Sequence, residues 1–220
     1  MKGTMVGLCI ITLLITTLLP ITVLAGGEED PEIKDNLNDH FGALVEFSSR
    51  IRTRIAIALL QIDSFDFIDI DSAWFYENSL EPEQLYIALK LKDLTSIPQR
   101  AIYTIHWKCN GVPYTVWAHL HNNKQSSSCF VGVDRRLNYN WQLAESSYDF
   151  DSNIITFKID KEYIGNPRIG DSLTNTFAWT ALRFDPLAFN LVFSDGELVK
   201  DAAPFIENNL DFGRDYIIQY

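Results

Sequence analysis

The stretch RAIYTIHWKCNGVPYTVWAHLH, residues 100–121, constrains the fold more than any other part of the chain. Asn110-Gly111 is flanked on both sides by alternating apolar residues. A two-residue type I′ turn needs positive φ at both central positions, and Asn-Gly reaches it at least steric cost. A turn there predicts an antiparallel hairpin in which Cys109 faces Val112, Trp107 faces Tyr114, His106 faces Thr115 and Ile102 faces His119. Alternation then assigns Ala101, Tyr103, Ile105, Trp107, Tyr114, Val116, Ala118 and Leu120 to a core face. Arg100, Ile102, Thr104, His106, Thr115, Trp117, His119 and His121 fall on the opposite, exposed face, and a one-residue slip would bury that set instead. The opposite face is the expected ligand surface, with Trp117, His119, His121, Thr104 and Arg100 as its candidate binding residues.

The same logic reads much of the remaining chain as strands. Residues 67–76 place Ile68, Ile70, Ser72, Trp74 and Tyr76 on one face and Asp69, Asp71, Ala73 and Phe75 on the other. Strands are also predicted over residues 85–92, 129–133, 154–160, 173–184 and 215–220, with a short hairpin around Ser194-Asp195-Gly196. Residues 44–62 alternate around Arg50, Arg52 and Arg54 and read as a further strand, whereas residues 135–145 lack a period and read as a loop with one helical turn. Many short strands separated by turn clusters predict an all-β fold, an antiparallel β-sandwich.

The N-terminal residues carry one charge, Lys2, then an apolar run and a Val-Leu-Ala exit, the pattern of a secretory signal peptide cut before Gly26. An uncleaved membrane anchor or a pilin-type leader are the other readings of that run, and only a retained segment would bring a membrane into play. Residues 26–43 read as a flexible acidic lead-in, and residues 44–220 as the sandwich domain. Loss of the leader removes Lys2 and no acid, so a net charge of −11 becomes −12. A chain this acidic has no electrostatic footprint for nucleic acid.

Both methionines, Met1 and Met5, lie in the leader, and two of the three cysteines, Cys109 and Cys129, lie outside it. In an exported protein an even pair predicts a disulfide, here closing a loop of about twenty residues for on the order of 3 kcal/mol. His119 and His121, two apart on one strand face, are about 7 Å apart and could share a metal, with solvated polar residues as the plainer reading; His106 stands about 13 Å from His119 along the ladder. Asp66, Asp69 and Asp71 are candidate calcium ligands, as is the Asp149-x-Asp151-x-Asn153 spacing, which also fits an Asx turn. No nucleophile elbow, zinc-helix motif or phosphate loop is present, so no catalytic residue is assigned.

At FIDIDSAWFYEN, LYIALKLKDL, YTIHWKCNGVPYTV, SNIITFKIDKEYIGNP and GDSLTNTFAWTALRF the chain resembles a group of exported prokaryotic β-sandwich domains. These occur alone or appended to secreted proteases and other surface proteins, and are loosely similar to DOMON domains and family-nine carbohydrate-binding modules. The resemblance spans roughly residues 63–220 and implies a jelly-roll sandwich that binds sugar or haem. DOMON haem sites commonly use a Met with a His, and no Met remains here outside the leader. The expectation is therefore a secreted or cell-surface binding module without chemistry of its own, whose partner is a glycan or a surface protein and which needs no cofactor. The alternatives are a structural subunit of a surface layer or filament, a haem- or metal-binding protein, and a hydrolase without a recognisable motif.

Overall fold

Asn110 and Gly111 both take positive φ, 50° and 77°, and close the hairpin in the register read from the sequence, from Cys109 opposite Val112 to Arg100 opposite His121. The computed structural model describes residues 26–35, 37, 66–94, 100–121, 129–133, 141–183, 197–206, 209–210 and 212–220. The described strands are β1 (Ile33–Lys34), β2 (Ile70–Tyr76), β3 (Gln84–Leu91), β4 (Arg100–Cys109), β5 (Val112–His121), β6 (Cys129–Val133) and β7 (Gln142–Asp149). They continue with β8 (Ile154–Asp160), β9 (Ser172–Arg183), β10 (Glu197–Ala203), β11 (Phe205–Ile206), β12 (Asn209–Leu210) and β13 (Tyr216–Ile217).

The main sheet runs β1-β2-β3-β8-β7-β6-β5-β4-β9-β10, with β13 also on β9 and β11–β12 as a separate ribbon. All of its pairings are antiparallel. Strands near opposite ends of this order are bonded to each other. Asp201 on β10 accepts the Ile70 N–H at 2.7 Å, the Thr180 hydroxyl on β9 donates to the Ile68 carbonyl at 2.5 Å, and the Arg214 N–H donates to the Glu32 carbonyl at 2.8 Å. The sheet is therefore curled into a half-barrel. Its concave side holds one core, in which Ile33, Phe75, Ile87, Tyr103, Trp107, Val116, Phe157 and Tyr216 are buried.

One end is closed by the link between β8 and β9, which contains a 3-10 helix at Lys161–Ile164. Gly165 follows it at φ 86°, and a Cβ there would stand 2.7 Å from the Tyr114 hydroxyl, so both backbone conformation and space require glycine. Lys161 and Glu77 form a buried ion pair at 2.5 Å. Glu77 also accepts the Tyr216 hydroxyl at 3.0 Å and the Gln219 N–H at 2.5 Å, while Lys161 donates to the carbonyl oxygens of Pro82 and Tyr220. Each charge is thus satisfied by several bonds, the condition under which a buried pair is tolerated.

Three elements depart from the pattern read in the sequence. In β2 the pairing jumps from Ile70–Leu91 to Ser72–Lys90, so an extra residue bulges out. The bulge reverses the alternation: Ile68 and Ile70 point inward before it, Ala73 and Phe75 after it, and Trp74 turns to the outer face. Residues 142–145, expected as part of a loop with one helical turn, belong instead to β7, whose inward positions are the modest Ala144, Ser146 and Tyr148. The acidic lead-in contributes β1, and its Ile33 is fully buried against β2. The leader, residues 44–62, and the expected turn at residues 194–196 lie outside the described residues.

Candidate functional site

Strand β4 lies between β5 and β9, and its even-numbered positions from Ile102 to His106 face outward together with the odd-numbered positions Thr115 to His119 of β5 and Phe177 to Ala181 of β9. One rung of this outer face reads Trp117, Thr104, Trp179, because Thr104 pairs with Trp117 on one side and Trp179 on the other. The neighbouring rungs are Thr115-His106-Phe177 and His119-Ile102-Ala181. Adjacent strands are about 4.8 Å apart, so the two tryptophan backbones stand about 10 Å apart with Thr104 between them. Both indoles are partly exposed. Thr104 is 2% exposed, and its Oγ1 has no hydrogen-bond partner among the described residues. A buried hydroxyl in that state forfeits its hydration without compensation, a cost of about 1–3 kcal/mol.

His106 organises one side of the site. Its ring stacks on Phe177 with centroids 4.4 Å apart and planes 9° apart. The Trp179 indole N–H donates to Nε2 at 2.7 Å, and Nδ1 lies 2.6 Å from the Thr115 hydroxyl oxygen. An indole nitrogen can only donate, so Nε2 is the unprotonated acceptor and Nδ1–H donates to Thr115. Both nitrogens are thereby committed, which leaves His106 unsuited to ligate a metal or serve as a general base. On the other side, Trp117 packs against His119 (4.5 Å between centroids), Phe130 (4.7 Å) and, edge-on, Trp141 (5.9 Å).

Trp179 faces outward because of a second bulge. Asn175 adopts φ 53° where the pairing of β4 with β9 shifts between His106 and Lys108. Beyond it the small residues Thr176, Ala178 and Thr180 are fully buried, and Phe177 and Trp179 lie outside. The inward threonines tolerate burial because their hydroxyls donate to the carbonyls of Arg214 (3.1 Å) and Ile68.

Of the residues expected to bind ligand, the structure brings Trp117, His119 and Thr104 onto one face; the side chains of Arg100 and His121 lie outside the described residues. That face is less polar and less open than expected. Ile102, Thr104 and Thr115 are buried, since β6 and β9 set Phe130, Phe177 and Trp179 beside the hairpin's own Trp117. Trp179 and Phe177 were missed because the pairing of β4 with β9 joins segments some 70 residues apart, for which no local signal exists.

Two expected sites do not form as read. Lys92 Nζ stands 2.6 Å from Asp66 and 3.7 Å from Asp69, and Lys90 Nζ stands 3.6 Å from Asp71, so lysine ammonium groups take the place expected for calcium. Among the described residues no three His, Cys, Asp or Glu side chains are grouped to hold a metal. The Asp149 carboxylate accepts the N–H groups of Asp151 (3.0 Å) and Ser152 (3.3 Å), an Asx turn. Cys109 is a free, buried thiol. Register explains why it has no bond to Cys129: Cys109 pairs with Val112, whereas Cys129 pairs with Ala118, six positions further along β5 and therefore about 20 Å away. Burial pushes the Cys109 thiol pKa up, with the Asp171 carboxylate adding to the effect.

Comparison with protein families, curated proteins and solved structures finds no match to this chain.

Proposed function

We propose that this chain is a non-catalytic binding module of the cell exterior whose ligand is a carbohydrate held on the outer face of β5, β4 and β9. The observation that carries the reading is the Trp117-Thr104-Trp179 rung: two partly exposed indoles flank a buried hydroxyl that lacks a partner. Sugar rings present apolar C–H faces that stack on aromatic side chains, and the two partly exposed indoles of this rung offer such surfaces about two strands apart. The Trp179–His106–Thr115 relay fixes one indole, and the Phe130 and Trp141 rings brace the other, so the two walls are pre-organised. Commitment of both His106 nitrogens weighs against a haem or catalytic role for this histidine.

Secretion through the leader, and a sandwich or jelly roll as the finer description of the curled sheet, belong to the same proposal. So does the likeness to DOMON domains and family-nine carbohydrate-binding modules. A glycan array probed with residues 26–220 tests it, followed by titration of each hit against Trp117→Ala and Trp179→Phe variants. Both variants should weaken binding tenfold or more with the β-sheet circular dichroism unchanged, and retention of full affinity in both would exclude this face.

A further inference from the structure

Glu32 is a buried carboxylate with no ion-pair partner among the described residues. It is 7% exposed, and its Oε2 accepts the Phe75 N–H at 2.9 Å, which ties the chain just before β1 to the edge of β2. Arg214, whose charge acts on Glu32, pairs instead with Asp30 at 2.7 Å. The other titratable groups that act with it, Asp30 and the Tyr216 phenol, bring no positive charge. With residue 25 still attached to Gly26, burial therefore holds the Glu32 pKa above its ordinary value.

Gly26 lies against this carboxylate. A Cβ on Gly26 would meet three oxygen atoms: Glu32 Oε1, Glu32 Oε2 at 2.5 Å and the Phe75 carbonyl at 2.6 Å. Carbon is excluded from that position, but it suits an ammonium nitrogen, whose three donors form N–H···O bonds of about 2.7–3.2 Å after a slight relaxation. The Gly26 nitrogen is a substituent of the same Cα. Once residue 25 is gone, a turn of about 120° around the Cα–C bond carries it into that position. Hydrolysis of the Ala25–Gly26 peptide bond leaves a carboxylate on Ala25 and an amine on Gly26 that is protonated at neutral pH. The segment that follows is already fastened, since Glu28 pairs with Lys90 at 2.5 Å, Asp30 pairs with Arg214 and Ile33 is fully buried. We infer that Gly26 is the mature N-terminus and that its α-ammonium forms an ion pair with Glu32, so that removal of the leader completes the fold at the edge of β2. This rests on the leader cleavage proposed above and adds what that cleavage does to the folded domain.

Residues 26–220 with a free Gly26 amine, compared with the same chain acetylated at that amine, test the ion pair. At pH 7 the free-amine chain should melt at least about 3 °C above the acetylated one. Glu32→Gln should lower the melting temperature of the free-amine chain and abolish the difference between the two. In the acetylated chain, where burial keeps the Glu32 pKa raised, Glu32→Gln should instead gain stability relative to its parent as pH rises. By nuclear magnetic resonance the Gly26 amine should titrate above the ordinary range of a terminal amine, and within that range in Glu32→Gln. Equal melting of the free and acetylated chains, a difference that survives Glu32→Gln, or an amine that titrates in the ordinary range would overturn the ion pair. N-terminal sequencing of the protein exported from cells expressing the full chain separates the two claims. A start at any residue other than Gly26 overturns the cleavage reading and this inference with it, whereas a start at Gly26 with equal melting overturns the ion pair alone.

Discussion

At the scale of single residues, the donor-only character of indole fixes the state of His106. With Trp179 donating to Nε2, the ring is held as the neutral Nδ1–H tautomer. Long-range nitrogen–proton correlation spectra should show Nε2 as the unprotonated nitrogen in the parent, and Trp179→Phe should release the ring to tautomer exchange. Cys109 offers a second check. A thiol that is 2% exposed and raised in pKa is rarely thiolate, so iodoacetamide should leave it unmodified in the native protein and label it only after denaturation. Peptide mapping without reduction should find no peptide linking Cys109 to Cys129. The sequence exposed Trp117 as an outward residue because the Asn-Gly turn settles the parity of its own hairpin. It concealed Trp74 and Trp179 because each follows a bulge, and a bulge is a single inserted residue with no composition of its own beyond, here, Asn175 in left-handed conformation.

At the scale of elements, register was legible wherever the turn chemistry was strong. The β4–β5 pairing agrees residue for residue with the reading from Asn110-Gly111; β3, β6 and β8 coincide with the expected strands to within a residue, and β13 covers Tyr216–Ile217 of the expected 215–220. Strand β7 escaped because its inward face carries Ala144 and Ser146 while Leu143, 72% exposed, points out, which inverts the usual apolar pattern. The β8–β9 link gives this scale its prediction. Gly165→Ala would put a Cβ against the Tyr114 hydroxyl and force a left-handed alanine. Urea denaturation should show a loss above 1 kcal/mol, greater than that of Gly111→Ala, where the same backbone strain applies but the space is open.

At the scale of the whole molecule, the curled sheet is held together by buried carboxylates that cross between elements. Glu32 accepts the Phe75 N–H at 2.9 Å, Asp201 reaches Ile70, and Glu77 gathers the C-terminal residues. Burial raises the Glu32 pKa above its ordinary 4.5, only partly offset by the Phe75 N–H bond. The folded state thus binds this proton more tightly than the unfolded state. Its contribution to stability is full below the unfolded value and is lost as pH rises through the folded one. Glu32→Gln should therefore melt at a higher temperature relative to the parent at pH 7 than at pH 4.5, and an equal difference at the two values would contradict the assignment. Asp149 and Asp171, both lowered in pKa, act in the opposite sense and give up their contribution as pH falls below the carboxylate range. Long-range closure of this kind, Glu32 to Phe75 or Asp201 to Ile70, has no counterpart in local sequence pattern, which is why alternation pointed to antiparallel strands and left the curl of the sheet unseen.

The carbohydrate reading of the outer face is tested most directly by titrating the strongest glycan-array hit against the parent and the Trp117→Ala and Trp179→Phe variants, with and without a calcium chelator. The expected result is saturable binding to a neutral glycan, indifferent to chelator and weakened tenfold or more by either substitution. No glycan bound on the array, or a bound glycan whose affinity neither substitution alters, would contradict it.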